Sequence, residues 1–151
     1  MRIYIGYKYT NVADKQSLIQ KLLEFSSFLE KAGHETFILG RDVQNWKGSL
    51  PLWKTFPAIV GNMIKSDVFV AYITSPVPSK GLEVEKALSA VLAKKRLFVS
   101  EGSEAANNND LAYVSAGNSV ENTANEVLAS SGLLSRVSWV RSPAPSPRKT
   151  R

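Results

Sequence analysis

The chain has 151 residues, no cysteine, one histidine and a net charge of +6. That length suits one domain with one core. The missing cysteines exclude disulfides, thiolate catalysis and Cys-based zinc sites, and the lone His34 excludes a multi-histidine metal site within one chain. The charge is concentrated: Arg141, Arg148, Lys149 and Arg151 fall in the last eleven residues, and without them 15 basic residues face 13 acidic ones. The near-balance of residues 1–140 argues against a nucleic-acid-binding domain, leaving the tail as the one basic arm. Residues 141–151, rich in Pro and Ser, are expected to be a disordered tail on a domain spanning 1–140.

Met1-Arg-Ile-Tyr-Ile-Gly enters a strand pattern at once, and no apolar run reaches membrane-span length. A cytoplasmic protein without a membrane partner is the expectation. In chain order, Arg2 to Tyr7 reads as a strand. Asp14 to Ala32 reads as an amphipathic helix on Leu18, Leu22, Phe25, Phe28 and Leu29, capped by Asp14 and ended by Gly33. Glu35 to Leu39 is a strand closed by Gly40-Arg-Asp, and Val43 to Trp53 a loop holding Trp46 and Trp53. Phe56 to Lys65 reads as a helix with Pro57 in its first turn. Asp67 to Ile73 is almost continuously apolar, as a strand buried on both faces would be. After a Pro-containing loop, Lys80 to Lys95 is helical, Arg96 to Ser100 and Leu111 to Val114 are strands, and Val120 to Ser130 is a last helix.

This alternation predicts an α/β, flavodoxin-like (Rossmann-like) three-layer fold with a parallel five-stranded sheet. Ligands of such sheets bind beyond the carboxyl ends of the strands. That rule points to the loops at Tyr7 to Asn11, Gly40 to Trp46, Thr74 to Gly81 and Glu101 to Asn109. None carries a glycine-rich phosphate turn, and the loop after the first strand has no acid before Asp14. His34 falls at the amino end of its strand, away from these loops, which suits a structural histidine.

Thr74 to Ala90 is the most informative stretch. Ser79 is a good N-cap type and Gly81 permits close approach to the backbone. A carboxylate near the positive end of the following helix would favour ionisation. Val84, Leu88, Val91 and Leu92 recur at helical spacing and predict the buried stripe. Glu85 borders that stripe between two small residues, Gly81 and Ser89. Glu83 lies on the other side, spaced to pair with Lys86. Glu85 is thus the better candidate, with Glu83 as the alternative.

Four segments, Ile3-Tyr-Ile5, Asp67-Val-Phe-Val-Ala, Ser79-Lys-Gly-Leu-Glu-Val-Glu85 and Lys94-Lys-Arg-Leu-Phe-Val99, resemble in order and spacing the nucleoside 2-deoxyribosyltransferase superfamily, over about Met1 to Ser100. The resemblance implies a homo-oligomer that takes a nucleoside or nucleotide, needs no cofactor, and cleaves or exchanges the N-glycosidic bond through a glutamate attacking C1′ of the sugar. The family's Gly-x-Glu spacing would select Glu83; the count to Lys94 selects Glu85. The substrate would be held from Tyr7, Tyr9, Arg41, Asp42, Ser79 and Gly81, with Lys8 near a 5′-phosphate. One departure stands out. The family's catalytic members carry an Asp eight residues before the Asp that opens the buried strand, and this chain has Ile59 there, with Asn62 the nearest polar residue. That departure supports an alternative, a non-catalytic nucleotide-binding or sensor domain on the same fold.

Overall fold

A computed structural model describes residues 1–9, 12–47, 50–74, 77–100, 112–115 and 119–131. The tail expected at 141–151 and the loop expected at 101–109 lie outside these residues. The elements run β1 (Arg2–Tyr7), α1 (Lys15–Lys31), β2 (Glu35–Ile38), α2 (Leu39–Asp42), α3 (Leu52–Lys65), β3 (Val68–Ile73), α4 (Lys80–Val91), β4 (Lys95–Ser100), β5 (Ala112–Ser115) and α5 (Val120–Ser131). The strand order is β2-β1-β3-β4-β5 and every pairing is parallel. This is a doubly wound α/β arrangement whose order reverses between β1 and β3.

Period-2 alternation sends each strand's side chains to two separate cores. Ile3, Ile5, Val68, Val70, Leu97 and Val99 pack against Leu22 and Phe25 of α1 and Val127 of α5. Tyr4, Phe37, Phe69, Ala71 and Phe98 face Ile59 and Met63 of α3 and Leu82 of α4. Both faces of the sheet are covered, which explains the unbroken apolar run of β3. No described helix is long and apolar enough to cross a membrane.

The ends of α1 follow the sequence signals. The Asp14 carboxylate accepts from the Ser17 amide at 2.9 Å, and Gly33 closes the helix at φ +90°. Two other boundaries differ from expectation. Helix α3 begins at Leu52 with Pro51 as its cap, so Pro57 stands inside it. The hydrogen bond Pro57 cannot donate is lost at Trp53, in an exposed turn where water can replace it. Helix α4 stops at Val91, short of Lys95. The Ala93 amide donates to Ala90 O at 3.0 Å and the Lys94 amide to Ser89 O at 2.9 Å, with Ala93 left-handed at φ +51°. These are the bonds of a Schellman turn, with alanine in the place that usually announces itself as glycine.

The buried face of α4 also differs from the apolar stripe read in sequence. Leu82, Glu85 and Ser89 are the buried residues, whereas Val91 is 82% exposed. The helix turns a glutamate and a serine inward and a valine outward. Counting apolar residues fails here because the polar residue facing the sheet has a partner there.

Candidate active site

Position 6 of β1 falls on the α3/α4 side of the sheet, two residues beyond Tyr4. It is a glycine, and a Cβ there would lie 2.7 Å from Glu85 Oε2 and 2.9 Å from the Phe69 ring. The bare backbone makes room for the carboxylate to lie against the strand. Tyr4 supplies the polar partner: its hydroxyl donates to Glu85 Oε1 at 2.8 Å. Tyr4 is itself fixed by Phe37 and Phe69, whose ring centroids are 5.0 and 5.8 Å away. Neither Tyr4 nor Gly6 was singled out from sequence. The available signal was their common face, which becomes meaningful only once Glu85 is known to reach it.

Glu85 is 6% exposed. Burial pushes its carboxyl up to about 8, and the Tyr4 hydrogen bond opposes that rise without cancelling it. The group is therefore mostly protonated at neutral pH, contrary to the ionised carboxylate expected from the helix start. The reason is position. Glu85 lies in the second turn of α4, and the helix field fades within the first, where Glu83 stands. The buried Tyr4 hydroxyl is raised in turn, by desolvation first and by Glu85 second. Glu83 is exposed and binds Lys86 at 2.8 Å, the surface pair its spacing foretold.

Glu85 lines a cavity of about 710 Å³ beyond the carboxyl ends of β1 and β3, where the strand order reverses. The volume is that of a small-molecule site. Tyr7, Tyr9, Ser79 and Gly81, all named from sequence, line it together with Glu85. Glu85 is the one acid in its wall among the described residues, and Lys15 and Lys80 are the cations. Ser79 caps α4 with no side-chain cap bond and lines the cavity. The Tyr7 hydroxyl meets the Gly40 backbone, and Tyr7 meets Tyr9 edge-on at 6.2 Å. Lys15 Nζ sits 4.8 Å from the centre of the Tyr9 ring.

Arg41 and Asp42 are not in this wall. Arg41 donates to Thr36 O at 2.7 Å and to Ser26 and Glu30 of α1, and pairs with Asp42 at 2.9 Å. Asp42 accepts from the Ile38 amide at 2.9 Å. Arg41 ties α2 to β2 and α1, and Asp42 ties α2 back to β2. Gln44 and Leu39, from the same segment, line the cavity in their place. Lys8, expected near a 5′-phosphate, is buried. Ile59 does reach the cavity and is 1% exposed, whereas Asn62 turns to the other end of the sheet and accepts from Arg2 at 2.7 Å. The departure noted at position 59 is thus in the cavity wall itself. His34 lies at the opposite end of the sheet beside the chain's amino terminus, its Nδ1 without a hydrogen bond.

No family model and no curated protein matches the sequence. Solved structures do match the fold. The 2-deoxyribosyltransferase of Bacillus psychrosaccharolyticus aligns with a TM-score of 0.61 at 21% identity, over 81% of this chain and 91% of its own. The CMP N-glycosidase of Clostridium botulinum aligns at 0.62 and 14% identity, over 86% and 99% of the two chains. A conserved protein of Enterococcus faecalis aligns at 0.60 and 13%, over 85% and 98%. The chain has the nucleoside 2-deoxyribosyltransferase-like fold.

Proposed function

We propose that the protein binds a nucleoside or nucleotide in this cavity and cleaves or exchanges its N-glycosidic bond, with Glu85 attacking C1′ of the sugar. The observation that carries this reading is one nearly buried carboxylate in the cavity wall, held by Tyr4 and given space by Gly6. A carboxylate there can trap an oxocarbenium-like sugar as a glycosyl-enzyme and pass it to water or to a second base. Attack needs the anion. Because burial holds the free carboxyl protonated to about 8, base release should rise with pH up to that value. If Glu85 instead worked as a general acid, the same limb would fall.

Ile59 favours a second reading, a binding or sensor domain without turnover. It places an apolar side chain in the cavity wall where the resemblance expects an acid. One experiment separates the two. The purified protein is incubated with nucleosides and 5′-monophosphates, with and without an acceptor base, and free and exchanged bases are quantified by chromatography. Release that vanishes in Glu85→Gln and persists in Glu83→Ala supports the glycosyl-transfer reading. Release unchanged in Glu85→Gln sinks it. Ligands that raise the melting temperature without any release establish the binding domain.

The homo-oligomer implied by the resemblance would form on the outward face of α3. Trp53 is 73% exposed there, Phe56 and Ile64 are also exposed, and the space around Gly61 is open. A helix-interior glycine with nothing near its missing Cβ has no packing reason within one chain, but suits close approach by a second. Sedimentation of the native chain and of Ile64→Glu tests this: the native chain should be the larger species.

A further inference from the structure

We propose that Trp46 is a positioning residue that sets the aromatic edge of the cavity through Tyr7 and so selects the size of the base bound there. This rests on the cavity's holding a base, as argued above. The turn after α2 places two consecutive non-glycine residues in the left-handed region, Asn45 at φ +50° and Trp46 at φ +56°. Asparagine tolerates that conformation; a bulky tryptophan is an outlier in it. Such backbone persists only where its surroundings enforce it, and it concentrates at binding sites.

The surroundings here are specific. The Trp46 amide donates to Gly40 O at 2.8 Å, folding the turn back onto α2. The Trp46 ring then lies over Gly40, where a Cβ would stand 2.5 Å from Cζ3 and would collide with the Tyr7 hydroxyl. Glycine at position 40 is what lets both rings occupy this corner. Trp46 packs on Tyr7 with centroids 5.9 Å apart, and Tyr7 in turn meets Tyr9. The Tyr7 hydroxyl lies against the Gly40 backbone, and Tyr7 lines the cavity beside it. Gln44, immediately before the turn, is left in the cavity wall. The edge therefore reads the flat face and width of a ligand ring, and Trp46 holds that width from behind without lining the cavity.

Removing the Trp46 ring opens space behind Tyr7, which can then yield to a larger ring. The test is calorimetric binding of free adenine, hypoxanthine, cytosine and thymine to the native chain, Trp46→Phe and Trp46→Ala, with melting temperatures measured alongside. Trp46→Leu replaces Trp46→Ala if the latter does not fold. The affinity ratio of two-ring to one-ring bases should rise about tenfold in Trp46→Ala, the range in which pocket size discriminates, and stay near native in Trp46→Phe. A lower melting temperature with all bases weakened alike, or no base bound by the native chain, overturns the assignment. Base release by chromatography is read separately. Cleavage with an unchanged ratio removes only the role of Trp46; a shifted ratio without cleavage removes only the bond-breaking reading.

Discussion

At the carboxyl end of the sheet, Glu85 is almost removed from water, faces no cation at hydrogen-bonding distance among the described residues, and has a neutral tyrosine as its partner. At the amino end, charge is handled the other way. The Arg2 amide donates to Asp67 at 2.8 Å, and its guanidinium reaches Asn62 at 2.7 Å and Glu35 at 3.5 Å, with Glu35 largely in solvent. These contacts tie β1, β2 and α3 together. The carboxyl end is left with an acid whose protonation is finely balanced. The proposed chemistry falls at the end where a charge is expensive to create and no permanent counter-ion quenches it.

The largest effect should come from removing that acid. Glu85→Gln should lower base release by about 10³-fold or more, as loss of a covalent nucleophile does. It should also change stability with a definite sign. The folded carboxyl titrates at about 8 against an ordinary 4.5, so its contribution is fully present below 4.5 and is lost as pH rises through 8. The native chain should therefore lose stability across that window, by at most about 1.4 kcal/mol per pH unit, and Glu85→Gln should flatten the slope in denaturant melts.

Gly6→Ala attacks the same end sterically. Its Cβ would meet Glu85 Oε2 at 2.7 Å, and overpacking of that kind costs about 1–3 kcal/mol. Displacing the carboxylate should abolish release in protein that still folds. Tyr4→Phe is milder, about 1–2 kcal/mol. Because the Tyr4 hydrogen bond holds the Glu85 pKa down, its loss should move the midpoint of the pH–rate profile upward. A midpoint that stays in place would show that another group controls it. Arg2→Ala, at the amino end, should cost under about 1 kcal/mol and leave release and its pH profile untouched, since part-exposed ion pairs contribute little. A large loss of activity in that variant would erase the distinction between the two ends.

Much of this was legible in order along the chain. Arg2–Tyr7, the cap at Asp14, the stop at Gly33 and the doubly buried β3 follow from alternation, capping chemistry and apolar runs, all local signals. The ligand loops followed from topology, and Tyr7, Tyr9, Ser79, Gly81 and Glu85 do meet in one wall. The differences are not local ones. Ala93 adopts a left-handed turn that sequence assigns to glycine, and the Arg41 and Asp42 side chains bond to α1 and β2 across the fold.

Glu85 is the clearest division between the two kinds of information. The sequence by itself determined a glutamate between small residues, near an apolar stripe, on a helix after a buried strand. Only the tertiary structure decided that it faces inward, that Gly6 leaves it room, and that Tyr4 reaches its oxygen. Periodicity reports where a chain prefers water, and a buried acid runs against that preference. Its cost is met by contacts 79 and 81 positions away, which no local pattern contains.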